Sequence, residues 1–318
     1  MTGAGGRLIL SPGIRDARGM RLGLAHGGFR DAHARDTYLE IYRGLHASGP
    51  PPTYVYDIAT EFGTNRVYRY GDGRGISVVL IHGFFLTSAM WWAQIEGLAD
   101  EFTTVYTIDM LGQPGAGLQT RRIATPAEAA RNIDAVMAEL DLRDVHLVGH
   151  SYGGWLSTHT AAEAPQRLAT LTLVDPAQTV VGLSVRFWRD LALLLTRPHS
   201  PAARRAAAWV TGNPTAGSPI ADLTNLFTAG FAYFAAPLNT PPLRSSGNRL
   251  LAAVSIPVQV LLAGTSVHDT VKAIERVSSV VPAWQIEVWP EAGHMLPVQL
   301  PDEVNARIRQ FVAGHHPR

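Results

Sequence analysis

Val145-His146-Leu147-Val148-Gly149-His150-Ser151-Tyr152-Gly153-Gly154-Trp155 is the stretch that decides the fold. A short apolar run ends in Gly-x-Ser-x-Gly, and an apolar helical pattern from Tyr152 to Ala164 follows at once. A serine projecting from so tight a strand-to-helix turn is exposed at the edge of a sheet, and the bent backbone brings positions 149 and 153 close to neighbouring chain. Glycine at both meets that demand, because a Cβ there would collide.

Outward from this turn, strand-like and helix-like segments alternate. Before it come Ser77 to Ile81, a helical Ala89 to Ala99, Thr103 to Ile108 and a helical Pro126 to Leu140; after it comes Leu171 to Val174. Apolar strands separated by amphipathic helices predict a mostly parallel sheet covered on both faces, with every strand C-terminus, and hence the site, along one edge. Upstream, Tyr54 to Phe62 and Arg66 to Tyr70 read as an antiparallel hairpin turning at Gly63-Thr64-Asn65 and closed by Gly71-Asp72-Gly73. Tyr38, Ile41, Tyr42 and Leu45 share one face of a helix over Phe29 to Ala47, so residues 1–49 form an N-terminal extension with that helix.

Downstream of Pro176 the alternation stops for about eighty residues, which hold helical pieces near Val185 to Leu195, Ala203 to Val210 and Leu223 to Phe234. So long a strandless stretch inside one sheet predicts an inserted helical cap over 177–255, within a core formed by 50–176 and 256–318. The pattern resumes with Val258 to Leu262, Val271 to Val280, Gln285 to Trp289 and Asp302 to Val312.

Composition narrows the chemistry. The chain has 318 residues, 46% hydrophobic and 17% charged, with a formal net charge of +1 and scattered cations, so nucleic acid is not an expected partner. With no cysteine, thiolate metal sites and a Cys nucleophile are excluded, and no His-Glu-x-x-His or carboxylate cluster suggests a metal. No stretch approaches the roughly 18 apolar residues of a membrane span. Met1 to Gly28 carries only the short apolar piece Leu8 to Leu10, so no secretory signal is expected and a cytoplasmic location is.

A hydroxyl needs an imidazole to take its proton. His294, in Glu291-Ala292-Gly293-His294 just past the last predicted strand, is the candidate among twelve histidines. Ile81-His82-Gly83-Phe84-Phe85 ends another strand, and its loop is placed to supply one oxyanion N–H, from Phe84, while Tyr152 after the nucleophile supplies the second. His82 is expected to brace that loop. Asp109-Met110-Leu111-Gly112-Gln113-Pro114-Gly115 lacks phosphate-loop spacing and reads as a structural loop.

The order His82-Gly83, Gly149-x-Ser151-x-Gly153, cap, Gly293-His294 and Leu300-Pro301-x-x-Val304-Asn305 resembles the α/β-hydrolase superfamily across roughly residues 50 to 313. The N-terminal helix, Thr60-Glu61-Phe62-Gly63 and the segment Ser266 to Asp269 look like a bacterial, serine-nucleophile, carboxylesterase-like branch of it. The resemblance implies an eight-stranded sheet, hydrolytic chemistry and no cofactor. In that family the acid usually follows the strand ending near Gly264, but Thr265-Ser266-Val267 holds no carboxylate. Two candidates remain: Asp175, at the end of the preceding strand, from which some members supply the acid, and Asp269, whose ordinary reading is a helix cap. Asp175 is favoured.

The expectation is therefore a Ser151–His294–Asp175 esterase acting through an acyl-enzyme on a hydrophobic small molecule, as monomer or homodimer. Phe85, Trp188 and Phe231 stand for a pocket drawn from a wider aromatic set of Trp91, Trp92, Phe84, Phe227, Tyr233 and Phe234. Carbon–carbon bond hydrolysis, acyl transfer or lyase chemistry on the same triad stay open, as does a non-catalytic binding protein on this fold.

Overall fold

The computed structural model describes residues 28–72, 75–234 and 240–316. The expectations for residues 1–27 and for the Gly73 end of the hairpin lie outside them. Asp31 opens α1 (Ala32–Ser48) by accepting the Ala34 N–H, and the buried face of α1 carries Tyr38, Leu39, Tyr42 and Leu45. Then come β1 (Tyr54–Thr60), β2 (Gly63–Tyr70), β3 (Ile76–Ile81), a 3-10 turn at Ser88–Trp91, α2 (Trp92–Leu98), β4 (Thr103–Ile108) and the two-residue β5 (Leu118–Gln119). α3 (Pro126–Glu139) begins with a capping box between Thr125 and Glu128, and β6 (Val145–His150), α4 (Tyr152–Glu163) and β7 (Leu168–Val174) follow. The remainder is α5 (Val185–Thr196), α6 (Pro201–Val210), α7 (Pro219–Tyr233), α8 (Asn248–Ala253), β8 (Val258–Thr265), α9 (Thr270–Val280), β9 (Gln285–Gly293), α10 (Leu296–Gln299) and α11 (Pro301–His315).

The main sheet runs β1-β2-β4-β3-β6-β7-β8-β9, with β5 paired to β2 off that path. β1 to β2 and β2 to β4 are antiparallel, and every pairing from β4 through β9 is parallel. The path has the expected eight strands, and β5 makes a ninth.

The hairpin turns two residues earlier than its composition suggested, at Glu61-Phe62, and Gly63 already belongs to β2. Gly63 has φ of +143°, and a Cβ on it would meet backbone of Gln119 at 2.9 Å, so this glycine admits β5 instead of making a turn.

Alternation along β3 divides the core. Val78 and Leu80 enter a cluster with α1, α2, α11 and α5 to α7; Val79 and Ile81 enter another with α3, α4, α8 and α9. Within the segment between β7 and β8, α5 packs on α6 and α6 on α7, while α7 leans on α1 and Phe29 bridges Phe234. α8 lies elsewhere, against α4 and α9. Between β7 and β8 there are thus three mutually packed helices and one short helix set against α4 and α9.

Candidate active site

The site is assembled at the C-terminal ends of β3, β6, β7, β8 and β9. Ser151 sits between β6 and α4 with φ 52° and ψ −117°, outside the usual regions for an L-residue, at a cost of about 1–3 kcal/mol. Its backbone is pinned on both sides: its N–H donates to the Val174 carbonyl, and its own carbonyl accepts from the N–H groups of Trp155 and Ala177. A Cβ on Gly149 would lie 2.5 Å from the Gly153 carbonyl oxygen, and one on Gly153 would lie 2.5 Å from the His82 carbonyl oxygen. The turn therefore closes only with glycine at both positions, as its spacing implied.

His294 follows β9 and is buried with its ring between two partners. Its Nε2 is 2.9 Å from Ser151 Oγ and its Nδ1 is 2.6 Å from Asp175 Oδ2. Asp175, fully buried at the end of β7 with φ 44°, also accepts the Ala263 N–H at 3.1 Å on Oδ1 and the Ser266 hydroxyl at 2.5 Å on Oδ2. Burial pushes its carboxyl up, but His268 and His294 outweigh it and hold Asp175 well below the usual carboxylate range. The other candidate, Asp269, is turned to solvent, where it caps α9 through the Lys272 N–H and pairs with the Lys272 ammonium. The structure brings Ser151, His294 and Asp175 together and leaves Asp269 apart.

The loop after β3 is held by its own bonds. Leu86 N–H donates to Gly83 O and Phe85 N–H to Gln113 Oε1, so both are used within the loop's scaffold. Phe84 packs its ring 5.4 Å from that of Tyr152. Tyr152 opens α4, where an N–H has no acceptor inside its own helix. His82 braces this loop as expected: Nδ1–H donates to Gly83 O, and Nε2 accepts the Met110 N–H. Asp109 is likewise structural, taking the hydroxyls of Tyr42 and Ser88 and the N–H groups of Ser88 and Ala116.

A cavity with about 460 Å³ of empty space, its open mouth included, reaches Ser151 and His294. Its far wall is apolar, from Phe187, Leu191 and Leu194 of α5, Val210 of α6 and Phe227 of α7. The aromatic expectation needs correction here. Phe85 and Phe231 stack on each other 4.1 Å apart and are consumed by the core behind the wall, and Trp188 points outward at 39% exposure while its neighbour Phe187 faces in. Of the wider set, only Phe84 and Phe227 line the cavity. Three side chains beside Ser151, His294 and Asp175 were not anticipated: Ser266 and His268, both near Asp175, and His150, whose Nε2–H donates to the His294 carbonyl. Polar residues two and four positions past Gly264, in a strand-end loop, were the available signal for the first two.

Burial pushes His150 down to about 3 and His46, behind the site, down to about 4. A histidine that is neutral when folded takes up its proton first in the unfolded chain. Stability is then intact above pH ~6.5 and is lost as pH falls from there towards these lower values, at about 1.4 kcal/mol per pH unit for each such histidine. Urea-unfolding midpoints are expected to fall steadily from pH 7 to pH 4.5; a flat series would contradict the neutral burial.

With this geometry in place, comparisons with known proteins locate the chain. Residues 78–307 match the alpha/beta hydrolase family. Carboxylesterase YbfK of Bacillus subtilis is 25% identical over 301 residues, 93% of this chain and 97% of that protein. The crystal structure of that carboxylesterase covers 89% of this chain and 99% of its own with a TM-score of 0.80 at 22% identity. The naproxen esterase structure, also from Bacillus subtilis, covers 86% and 96% with a TM-score of 0.78 at 24% identity.

Proposed function

The chain belongs to the alpha/beta hydrolase family as a serine-type hydrolase, and on that premise we propose that it cleaves carboxylic esters of apolar small molecules through an acyl-enzyme on Ser151. The observation that carries the reading is the chain of two contacts, 2.9 Å from Ser151 Oγ to His294 Nε2 and 2.6 Å from His294 Nδ1 to Asp175 Oδ2.

His294 Nδ1–H donates to Asp175, which fixes the tautomer and leaves Nε2 free to accept the Ser151 proton. Oγ then attacks the acyl carbon, and the carbonyl oxygen becomes an anion facing the N–H groups of Phe84 and Tyr152. These two donors are preset by the loop after β3 and the start of α4, so they need no reorganisation as charge develops. His294 returns its proton to the departing alkoxide, and the alcohol leaves. A water molecule, deprotonated by the same imidazole, attacks the acyl-enzyme and frees the acid and Ser151.

The carboxylesterase names of the relatives support an ester as the bond broken, and the apolar wall supports an apolar acyl or alcohol part. Initial rates on p-nitrophenyl esters of increasing acyl length test this. kcat/KM is expected to climb up to about fourfold per methylene until the cavity is filled, following about 0.8 kcal/mol per buried CH₂. A series that is flat or falls from acetate onward would overturn the assignment of that wall to substrate.

A further inference from the structure

We propose that His268 shares the Asp175 carboxylate with His294 and, acting through it as a positioning residue, restrains the basicity of His294. This rests on the reading of Asp175 as the partner of the catalytic imidazole.

His268 reaches Asp175 on the loop between β8 and α9, and that loop is fixed from several sides. Thr265 Oγ1 donates to the Ala292 carbonyl, Thr270 Oγ1 donates to the Ala263 carbonyl, Ser184 N–H donates to the Val267 carbonyl, and His268 itself bridges Leu183. The His268 side chain has no exposed surface, and its Nε2 stands 3.2 Å from Asp175 Oδ1. Neither ring nitrogen has an aligned hydrogen bond among the described residues. An imidazole buried in that way costs the fold stability, and a leucine of similar size would not. Its return is the dipole it places against the carboxylate.

The surroundings of Asp175 agree. Oδ2 faces the His294 Nδ1–H and the Ser266 hydroxyl; Oδ1 faces the Ala263 N–H and His268. Every neighbour can donate, and none is an obligatory acceptor for a carboxyl proton, so the arrangement suits an anion divided between two imidazoles.

Other ionisable groups nearby are already committed. His150 lies on the far side of His294 and gives its Nε2–H to the His294 carbonyl. Asp269 and Lys272 pair with each other at the surface. Arg276 of α9 spends its guanidinium on the carbonyls of Thr179, Val180 and Ser246. His268 is thus the second cation-capable group set directly on Asp175.

The sign follows from Coulomb's law. The imidazolium of His294 is stabilised by negative charge on Asp175, and the N–H dipole of His268, 3.2 Å from Oδ1, draws on the same charge. Removing His268 returns that charge to His294 and makes it a stronger base. The acid limb of kcat/KM against pH, measured on a p-nitrophenyl ester, is expected to move up by about 0.5–1 pH unit in His268→Leu. His268→Gln, which keeps polarity in the cavity, and Ser266→Ala, which removes the second donor to Oδ2, are expected to move it the same way by less.

A residue that merely filled space would lower the rate and leave the limb where it was. Limbs that superimpose on the wild type in the folded variants would overturn the proposal. Should His268→Leu not fold, His268→Gln carries the same two outcomes. Asp175→Asn separates this from the reading beneath it: wild-type rates there would sink the triad itself, whereas a collapse there with unmoved limbs in the His268 variants would sink the sharing alone.

Discussion

Ser151→Ala is expected to lower kcat on an activated ester by about 10⁴- to 10⁶-fold, while circular dichroism and melting temperature stay near those of the wild type. The hydroxyl makes its side-chain hydrogen bond to His294 and caps nothing, so its loss costs the fold little. His294→Ala is expected to cost about as much, and the double variant scarcely more than either, because nucleophile and base act as one unit and either absence halts the same step. Rates within about tenfold of wild type in Ser151→Ala would mean that ester turnover on this chain runs through another group.

Asp175→Asn is expected to lower kcat by about 10³- to 10⁴-fold. An amide at that position presents an NH₂ or a neutral oxygen to Nδ1, so the tautomer with its proton on Nδ1 is no longer enforced and the imidazolium loses its counter-charge. Asp269→Asn is expected to change kcat by less than about twofold, and since asparagine caps helices as well as aspartate its stability cost stays small. Steady-state kinetics on the two variants side by side decide between the acids. The opposite ranking would move the acid to the start of α9 and require the loop after β8 to rearrange.

The two aspartates mark the boundary of what the residues alone disclose. Both lie just past a strand, both are followed by chain that can turn, and linear order does not decide which reaches an imidazole in a distant part of the chain. Packing decides it: β7 and β8 are adjacent, Asp175 is sealed beneath the site, and Asp269 falls on the solvent side of its helix. The turn carrying Ser151 was legible because its signature is contiguous, two glycines flanking the serine, even though the backbone that a Cβ on Gly153 would strike lies at the end of β3.

The cavity wall was the least legible part. Phe187 and Trp188 are neighbours on α5, about 100° apart around the helix, so one faces the cavity and the other solvent. Composition names both and chooses neither. Phe85 and Phe231 satisfy each other in a stack, a pairing between chain segments far apart in sequence. Gly63 shows the converse error, since Gly-Thr-Asn has the composition of a turn and here serves a close approach between strands.

Labelling with a fluorophosphonate, followed by peptide mass spectrometry, tests the central assignment most directly. The reagent phosphonylates only a serine whose proton is taken by a neighbouring base and whose oxyanion is received by donors. A single adduct on Ser151, absent in His294→Ala, is the result expected. No adduct at any pH, or an adduct that forms equally well without His294, would contradict the account.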